Sequence, residues 1–155
     1  MRIVFVIGPA MSGKSFYIAR EFPDAQVIAI STFSRHVFVA ESNEEIGQIA
    51  MNAQLYCKEE LQNRIRKADE NDTIVLEHQM LQKEARKFYI DAVKEVTDTP
   101  IECFVVTPTE EMLNELLKNE EQLRIFYDYE KGKFETPDLD EGFHTITIVR
   151  PLPEQ

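Results

Sequence analysis

Residues 8–15 read Gly-Pro-Ala-Met-Ser-Gly-Lys-Ser and constrain this chain more than any other stretch. They fit the pattern G-x-x-x-x-G-K-S/T of a phosphate-binding (Walker A) loop. Gly8 and Gly13 allow backbone angles that a Cβ would forbid, so the N–H groups between them can point inward and bind phosphate oxygens. Lys14 is expected to reach the β- and γ-phosphates, and the Ser15 hydroxyl to ligate Mg²⁺. We therefore predict an ATP site formed by Gly8, Pro9, Ala10, Met11, Ser12, Gly13, Lys14 and Ser15, here called the phosphate loop.

The flanks of the phosphate loop have the structure that such a loop needs. Residues 2–7 form a short apolar run, typical of a strand that is buried on both faces. Residues 16–20 can form a helix whose positive N-terminal end would face the phosphates. Strand, loop and helix in this order favour a phosphate site over a glycine-rich turn that binds nothing.

Strand and helix patterns alternate along the rest of the chain. Four more apolar runs are predicted as strands: residues 26–30, 73–76, 101–106 and 145–149. A capping box at Ser42 begins a long helix, a second helix carries apolar residues over 85–96, and a third region begins with Pro108 as its first helical residue. This alternation predicts an α/β fold of three layers, with a parallel sheet of about five strands and a short helical lid over roughly residues 108–143. We expect residues 1–155 to form one domain.

Composition excludes some classes of function. The formal net charge of −11 argues against a surface that coats nucleic acid, although a local basic groove could still admit one strand end. No apolar run approaches the ~20 residues of a membrane span, and we expect neither a membrane partner nor a cleavable signal. Cys57 and Cys103 are predicted to be packed free thiols in a reducing cytoplasm.

Phosphoryl transfer needs Mg²⁺, a group that positions or deprotonates the acceptor hydroxyl, and cations for the transferred group. Glu77 ends the third predicted strand, where its carboxylate can hold Mg²⁺ through water or orient the acceptor; the alternative is a solvated strand end. His78 could touch substrate or simply be packed. Arg35 and His36 follow the second strand and could bind an acceptor phosphate or base, or belong to a surface loop.

Two more arginines are candidates. Arg86 begins the helix after Glu77 and could meet an anionic substrate, although a surface ion pair is the stronger expectation. Arg124 is the best candidate in the lid for a cation on the transferred phosphate, with a charge on an amphipathic helix as the alternative. We expect catalysis to involve Lys14, Glu77, Arg124 and His36.

Five later segments are similar, in order, to the motifs of one kinase family. Residues 27–32 are similar to V-I-S-T-D-x-x-R, and residues 74–87 to V-I-x-D-x-T-N followed by R-R. Residues 120–127, 134–137 and 140–143 are similar to P-E-E-V-I-x-x-M-Y, F-E-x-P and E-G-F. Over nearly its whole length the chain thus resembles P-loop kinases of the polynucleotide 5′-hydroxyl kinase type and their short predicted-kinase relatives. The resemblance implies a kinase that uses ATP and Mg²⁺.

The chain also departs from that family's pattern. The acidic residue that serves the family as general base is Phe33 here, which cannot accept a proton. The family's arginine falls on His36, and its third-strand aspartate becomes Glu77. The arginines of the family's lid are absent, because that region contains Glu115, Leu116 and Asn119 here. Residues 108–143 contain 11 acidic and four basic residues, whereas a lid that neutralises phosphate should be richer in cations.

Three functions therefore stay open. The first, to which the resemblance points, is a kinase that moves the γ-phosphate of ATP to a hydroxyl of a nucleic acid end, nucleotide or nucleoside, with Glu77 or His36 as the base. The second is another small-molecule kinase on the same scaffold, which the acidic composition mildly favours over long nucleic acid. The third is a nucleotide-binding protein that has lost its chemistry and acts through an unidentified partner protein, as Phe33 and the cation-poor lid suggest.

Overall fold

A computed structural model describes residues 1–34 and 41–154. Its five strands are β1 Arg2–Ile7, β2 Gln26–Ala29, β3 Thr73–His78, β4 Ile101–Val106 and β5 Thr145–Val149. Its six α-helices are α1 Lys14–Glu21, α2 Ile30–Ser34, α3 Asn43–Lys67, α4 Lys83–Lys94, α5 Glu110–Leu116 and α6 Glu121–Lys133. A short 3₁₀ helix spans Leu139–Glu141.

The strands form one parallel sheet in the order β2-β3-β1-β4-β5. The central strand β1 pairs with β3 on one side and β4 on the other, and its last residue, Ile7, lies opposite His78. The next residue extends this pairing, because the Gly8 N–H donates to the Gln79 carbonyl over 3.2 Å. The phosphate loop therefore leaves the sheet beside the carboxyl end of β3. The predicted α/β fold with a parallel sheet is confirmed.

Strand β1 is buried on both faces, as its unbroken apolar run predicts. Phe5 and its alternate neighbours pack into the larger core cluster, which includes Leu61 of α3 and Tyr89 of α4. Val4 and Val6 pack on the opposite side of the sheet, against residues of α1. Helices on both faces give the three predicted layers.

Both cysteines are buried free thiols, as predicted. Burial raises the pKa of the Cys57 thiol to about 11 and that of Cys103 to about 12, so at neutral pH both are protonated packing groups. Within residues 1–34 and 41–154, no helix is both long and apolar enough to cross a membrane.

Some predicted boundaries differ from the structure. Strand β2 stops at Ala29, and Ile30 begins the five-residue helix α2. Helix α5 starts after Pro108, because the Thr109 hydroxyl accepts the Met112 N–H over 3.2 Å and so caps the helix. Within the predicted lid, Leu139–Glu141 form the 3₁₀ helix, which Asp138 caps.

Arg86 lies in the core and not at the surface, so the expectation of a surface ion pair is wrong. Its side chain is 0% exposed, and its Nε donates to the Glu141 carboxylate over 2.6 Å. Its Nη1 donates to the Met80 carbonyl over 2.9 Å. The guanidinium thus ties the start of α4 to the 3₁₀ helix and to the segment that follows β3.

We expect Glu141→Ala to lower the free energy of unfolding by about 3–5 kcal/mol, because it leaves the buried Arg86 charge without its partner. Urea denaturation followed by circular dichroism measures this loss. Lys87→Gln is the matched control, since Lys87 pairs with Asp91 on the exposed face of the same helix and exposed pairs contribute little. Equal small losses in both variants would contradict a stabilising role for the buried pair.

Candidate nucleotide-binding site

The backbone of the phosphate loop requires glycine at two positions. Gly8 has a φ of +151° and Gly13 a φ of +89°. A Cβ on Gly8 would lie 2.9 Å from the Val106 carbonyl oxygen, and one on Gly13 would lie 2.4 Å from the Cβ of Pro151. The loop is therefore closely packed between β4 and the segment after β5. That segment is itself tied to α1, because Arg20 donates to the Pro151 carbonyl over 3.2 Å.

The ammonium group of Lys14 lies inside the loop. Its Nζ donates to the Gly8 carbonyl over 3.0 Å and to the Pro9 carbonyl over 2.9 Å. Burial lowers the pKa of Lys14 to about 8, against the opposing effect of the Glu77 and Glu130 carboxylates. A desolvated cation in this position attracts an anion from solvent strongly, because the nearby dielectric is low.

Ser12 provides a second sign that the loop fits a phosphate. Its hydroxyl is buried, and it is the one buried side-chain polar atom of the described residues without a hydrogen-bond partner. Unpaired buried polar groups are costly and are usually satisfied by an unseen water or ion. Together with the glycine geometry and the Lys14 ammonium, this hydroxyl fits the phosphate groups of a nucleotide.

Ser15 and Glu77 form a pair next to Lys14. The Ser15 hydroxyl, at the start of α1, donates to Glu77 Oε1 at the end of β3 over 2.6 Å. In the part of the chain that the structure describes, no group of three or more His, Cys, Asp or Glu side chains is arranged to hold a metal. Mg²⁺ that accompanies a nucleotide keeps water and phosphate ligands and needs only one or two protein oxygens. The Ser15 and Glu77 oxygens fit that requirement.

A cleft of about 770 Å³ opens beside the loop. Its walls come from the phosphate loop, the end of β3, and helices α2, α3, α5 and α6. Among the described residues that line the cleft, Lys14 and Glu77 are the charged ones. The remaining wall combines apolar side chains with uncharged polar groups such as Ser34 and Gln54.

His78 lines this cleft as a neutral, fixed side chain. The Met80 N–H donates to Nδ1 over 3.1 Å, which places the ring proton on Nε2, 3.1 Å from Gln54 Oε1. Burial and the nearby Lys14 charge lower the pKa of His78 to about 3. The Tyr89 hydroxyl donates to the same Gln54 oxygen. The Gln54–His78–Tyr89 contacts were not evident from the sequence, since these residues come from three different elements.

The structure does not bring Arg86 or Arg124 to the loop. Arg86 is engaged with Glu141 in the core. Arg124, on α6, donates from Nη2 to Glu110 over 2.8 Å and from Nε to Asp128 over 3.3 Å, and these contacts raise its pKa. The prediction that Arg124 provides positive charge to the transferred phosphate stays a prediction. Arg35 and His36 lie outside the described residues, so their proposed contacts with substrate also stay predictions.

Among the described residues, one side-chain hydrogen bond from the lid reaches the phosphate loop. Glu130, on α6, accepts the Ala10 N–H through Oε1 over 2.7 Å. The sequence contains no signal for this contact, because the two residues are 120 positions apart.

Comparison with known proteins finds relatives in structure but none in sequence. No family model and no curated protein matches the chain. A protein from Chloroflexus aurantiacus J-10-fl that has been assigned as a kinase matches with a TM-score of 0.69 at 10% identity, over 96% of this chain and 84% of that one. A gluconokinase from Sinorhizobium meliloti 1021 matches with a TM-score of 0.63 at 13% identity, over 99% and 84% of the two chains. A sugar kinase from Janibacter sp. HTCC2649 matches with a TM-score of 0.63 at 12% identity, over 97% and 86%.

These matches show the fold of small P-loop kinases over nearly the full length of the chain. They support the fold that the family resemblance implied. They give no support to membership of the polynucleotide kinase type, because no neighbour reported above is of that type. Fold alone does not assign an activity, so the chemistry must be argued from the site.

We expect Lys14→Met to abolish nucleotide binding and yet to stabilise the nucleotide-free protein at pH 7 by about 3 kcal/mol, because it removes a desolvated charge. The folded-state pKa of about 8 lies below the unfolded value of 10.5. The destabilising effect of Lys14 is therefore complete below pH 8 and declines as the pH rises to 10.5. Urea titrations at pH 7, 8.5 and 10 should show that the difference in free energy of unfolding between variant and wild type becomes smaller as the pH rises. A gap that is constant with pH would contradict this assignment.

Proposed function

We propose that this protein is an ATP-dependent phosphotransferase that moves the γ-phosphate to a hydroxyl of a small molecule. The observation that carries the proposal is the Lys14 ammonium, held inside a phosphate loop and next to the Ser15–Glu77 pair, at the edge of an open cleft. A loop, a cation, a metal-compatible oxygen pair and an acceptor space are the parts that phosphoryl transfer needs.

Each group has a proposed role. The N–H groups of the phosphate loop and Lys14 bind the β- and γ-phosphates. Ser15, together with Glu77 acting through water, would hold Mg²⁺, which would supply positive charge against the phosphates. The acceptor oxygen attacks the γ-phosphorus, the bond from that phosphorus to the β,γ-bridging oxygen breaks, and ADP leaves. Glu77 accepts the proton of the acceptor hydroxyl. A loose transition state asks little of this base.

Glu77 is the base that the described structure supports best. Phe33, at the position of the family's general base, packs against the main core. His78 is held by Met80 and Gln54, and its lowered pKa makes it a poor proton acceptor. Glu77 is the one carboxylate among the described residues that line the cleft.

The small-molecule acceptor is favoured over a nucleic acid end by three observations. Two of the structural neighbours are a gluconokinase and a sugar kinase, which are kinases of small molecules. The net charge of −11 opposes the approach of a polyanion. The uncharged polar wall of the cleft, with Ser34 and Gln54, suits an acceptor that carries several hydroxyl groups.

Transfer of label from γ-labelled ATP with Mg²⁺ tests the function directly. The acceptors are sugars and sugar acids, nucleosides, nucleoside monophosphates, 5′-hydroxyl DNA and RNA ends, and water. We expect label on a sugar-type acceptor and none with Lys14→Ala. Label on nucleic acid ends would favour a polynucleotide kinase. ATP binding without any transfer would favour a nucleotide-binding protein that acts through a partner.

We expect Glu77→Gln to lower the transfer rate at saturating ATP by at least about 10²-fold, because the amide cannot accept the acceptor proton. Steady-state kinetics with the acceptor that the panel identifies measures this effect. Glu77→Asp, which keeps a shorter carboxylate, should recover part of the rate. Glu44→Gln, an exposed change at the start of α3, serves as the control. A Glu77→Gln protein as active as wild type would exclude Glu77 as the base.

A further inference from the structure

The Ala10–Glu130 hydrogen bond places an anion on the phosphate loop. Ala10 is one of the loop residues whose N–H groups are expected to bind phosphate oxygens, and its N–H is already taken by Glu130 Oε1 at 2.7 Å. A carboxylate oxygen and a phosphate oxygen are both anionic acceptors that favour the same short, charge-assisted bond. Only one of them can occupy the direction in which this N–H points.

The electrostatics of the loop agree with this geometry. Lys14 experiences the charges of Glu77 and Glu130, and both oppose the effect of burial on its pKa. Glu77 reaches the loop from β3 through Ser15. Glu130 reaches it from the lid, so the lid brings its own negative charge into the field that would attract a nucleotide.

Glu130 belongs to a part of the lid that packs over the cleft. Tyr127, one turn earlier on α6, is buried against Leu113 and Leu117 of the α5 region. Phe126 lines the cleft. The position of the Glu130 carboxylate is therefore set by a packed pair of helices and not by one free side chain.

We propose that Glu130 is an internal competitor for phosphate, which caps the phosphate loop until a nucleotide displaces it. This inference rests on the proposed nucleotide site and adds a closed state to it. Nucleotide binds the open form, so its apparent dissociation constant is the intrinsic constant divided by the fraction of open molecules. Removing the Glu130 charge raises that fraction.

The test compares Glu130→Gln and Glu130→Ala with Glu121→Gln by isothermal titration calorimetry. Glu121 lies on the first turn of the same helix, so its substitution by glutamine makes the same change in net charge. The probes are MgADP and adenosine. We expect both Glu130 variants to bind MgADP about tenfold more tightly, as the loss of one charge-assisted competitor implies. Adenosine, which carries no phosphate, should bind all four proteins alike.

The Ala10 amide provides a second readout that needs no nucleotide. In ¹⁵N-labelled protein, the hydrogen bond to a carboxylate moves the Ala10 amide proton downfield. Both Glu130 variants should shift this resonance upfield, and Glu121→Gln should leave it in place.

Three results would overturn the inference. If Glu130→Gln binds MgADP as wild type does, or more weakly, Glu130 is not a competitor, while the proposed function stands. An Ala10 resonance that is the same in all four proteins would show that the contact does not form in solution. If MgADP binds neither wild type nor any variant, the proposed nucleotide site fails together with this inference.

Discussion

The two hydrogen bonds from Lys14 to the Gly8 and Pro9 carbonyls are the interaction on which the site depends. They hold a cation where burial disfavours its charge, and this is possible only because the sheet fixes the loop on both sides. The loop leaves the central strand β1, which is paired with β3 and β4 and shielded from water on both faces. The buried central strand thus supports a turn that holds two glycines at positive φ and a desolvated cation.

The fold was predictable because its central strands β1 and β3 are buried on both faces and its long helices are amphipathic. Continuous apolar runs and periods of three to four residues carry that information along the chain. Helix α2 escaped prediction because five residues are too few to show a helical period. The Arg86–Glu141 pair escaped because its members are 55 residues apart, and nothing local distinguishes a buried arginine from an exposed one. The phosphate loop itself was predictable because its glycines, Lys14 and Ser15 stand together in one local pattern. Its contacts with Val106 and Pro151 were not predictable, because those residues are distant in sequence.

The carboxylate proposed as the base, Glu77, occupies a different position from the base in the family pattern. In that pattern the base follows the second strand, a position that Phe33 occupies here while packing on the core. Glu77 stands one strand closer to the loop, at the end of β3, and is already bonded to Ser15. An acceptor deprotonated by Glu77 would approach along β3, past His78 and Gln54, whose side chains are fixed by hydrogen bonds. A rigid polar wall of this kind is better suited to recognise an acceptor by fixed hydrogen bonds than by charge attraction.

Pro151 packs directly behind Gly13, and Arg20 of α1 bonds to the Arg150 and Pro151 carbonyls. The loop is encoded within the first 15 residues, yet its rear support comes from the segment after β5, about 135 residues later in synthesis. While the chain is still on the ribosome, β1 and the loop emerge long before β5 and its following segment. A nascent chain can therefore form the early β1–β3 pairing but lacks the brace that holds Gly13 in place. The loop is therefore fully supported only after the segment that follows β5 has been made and has packed behind Gly13.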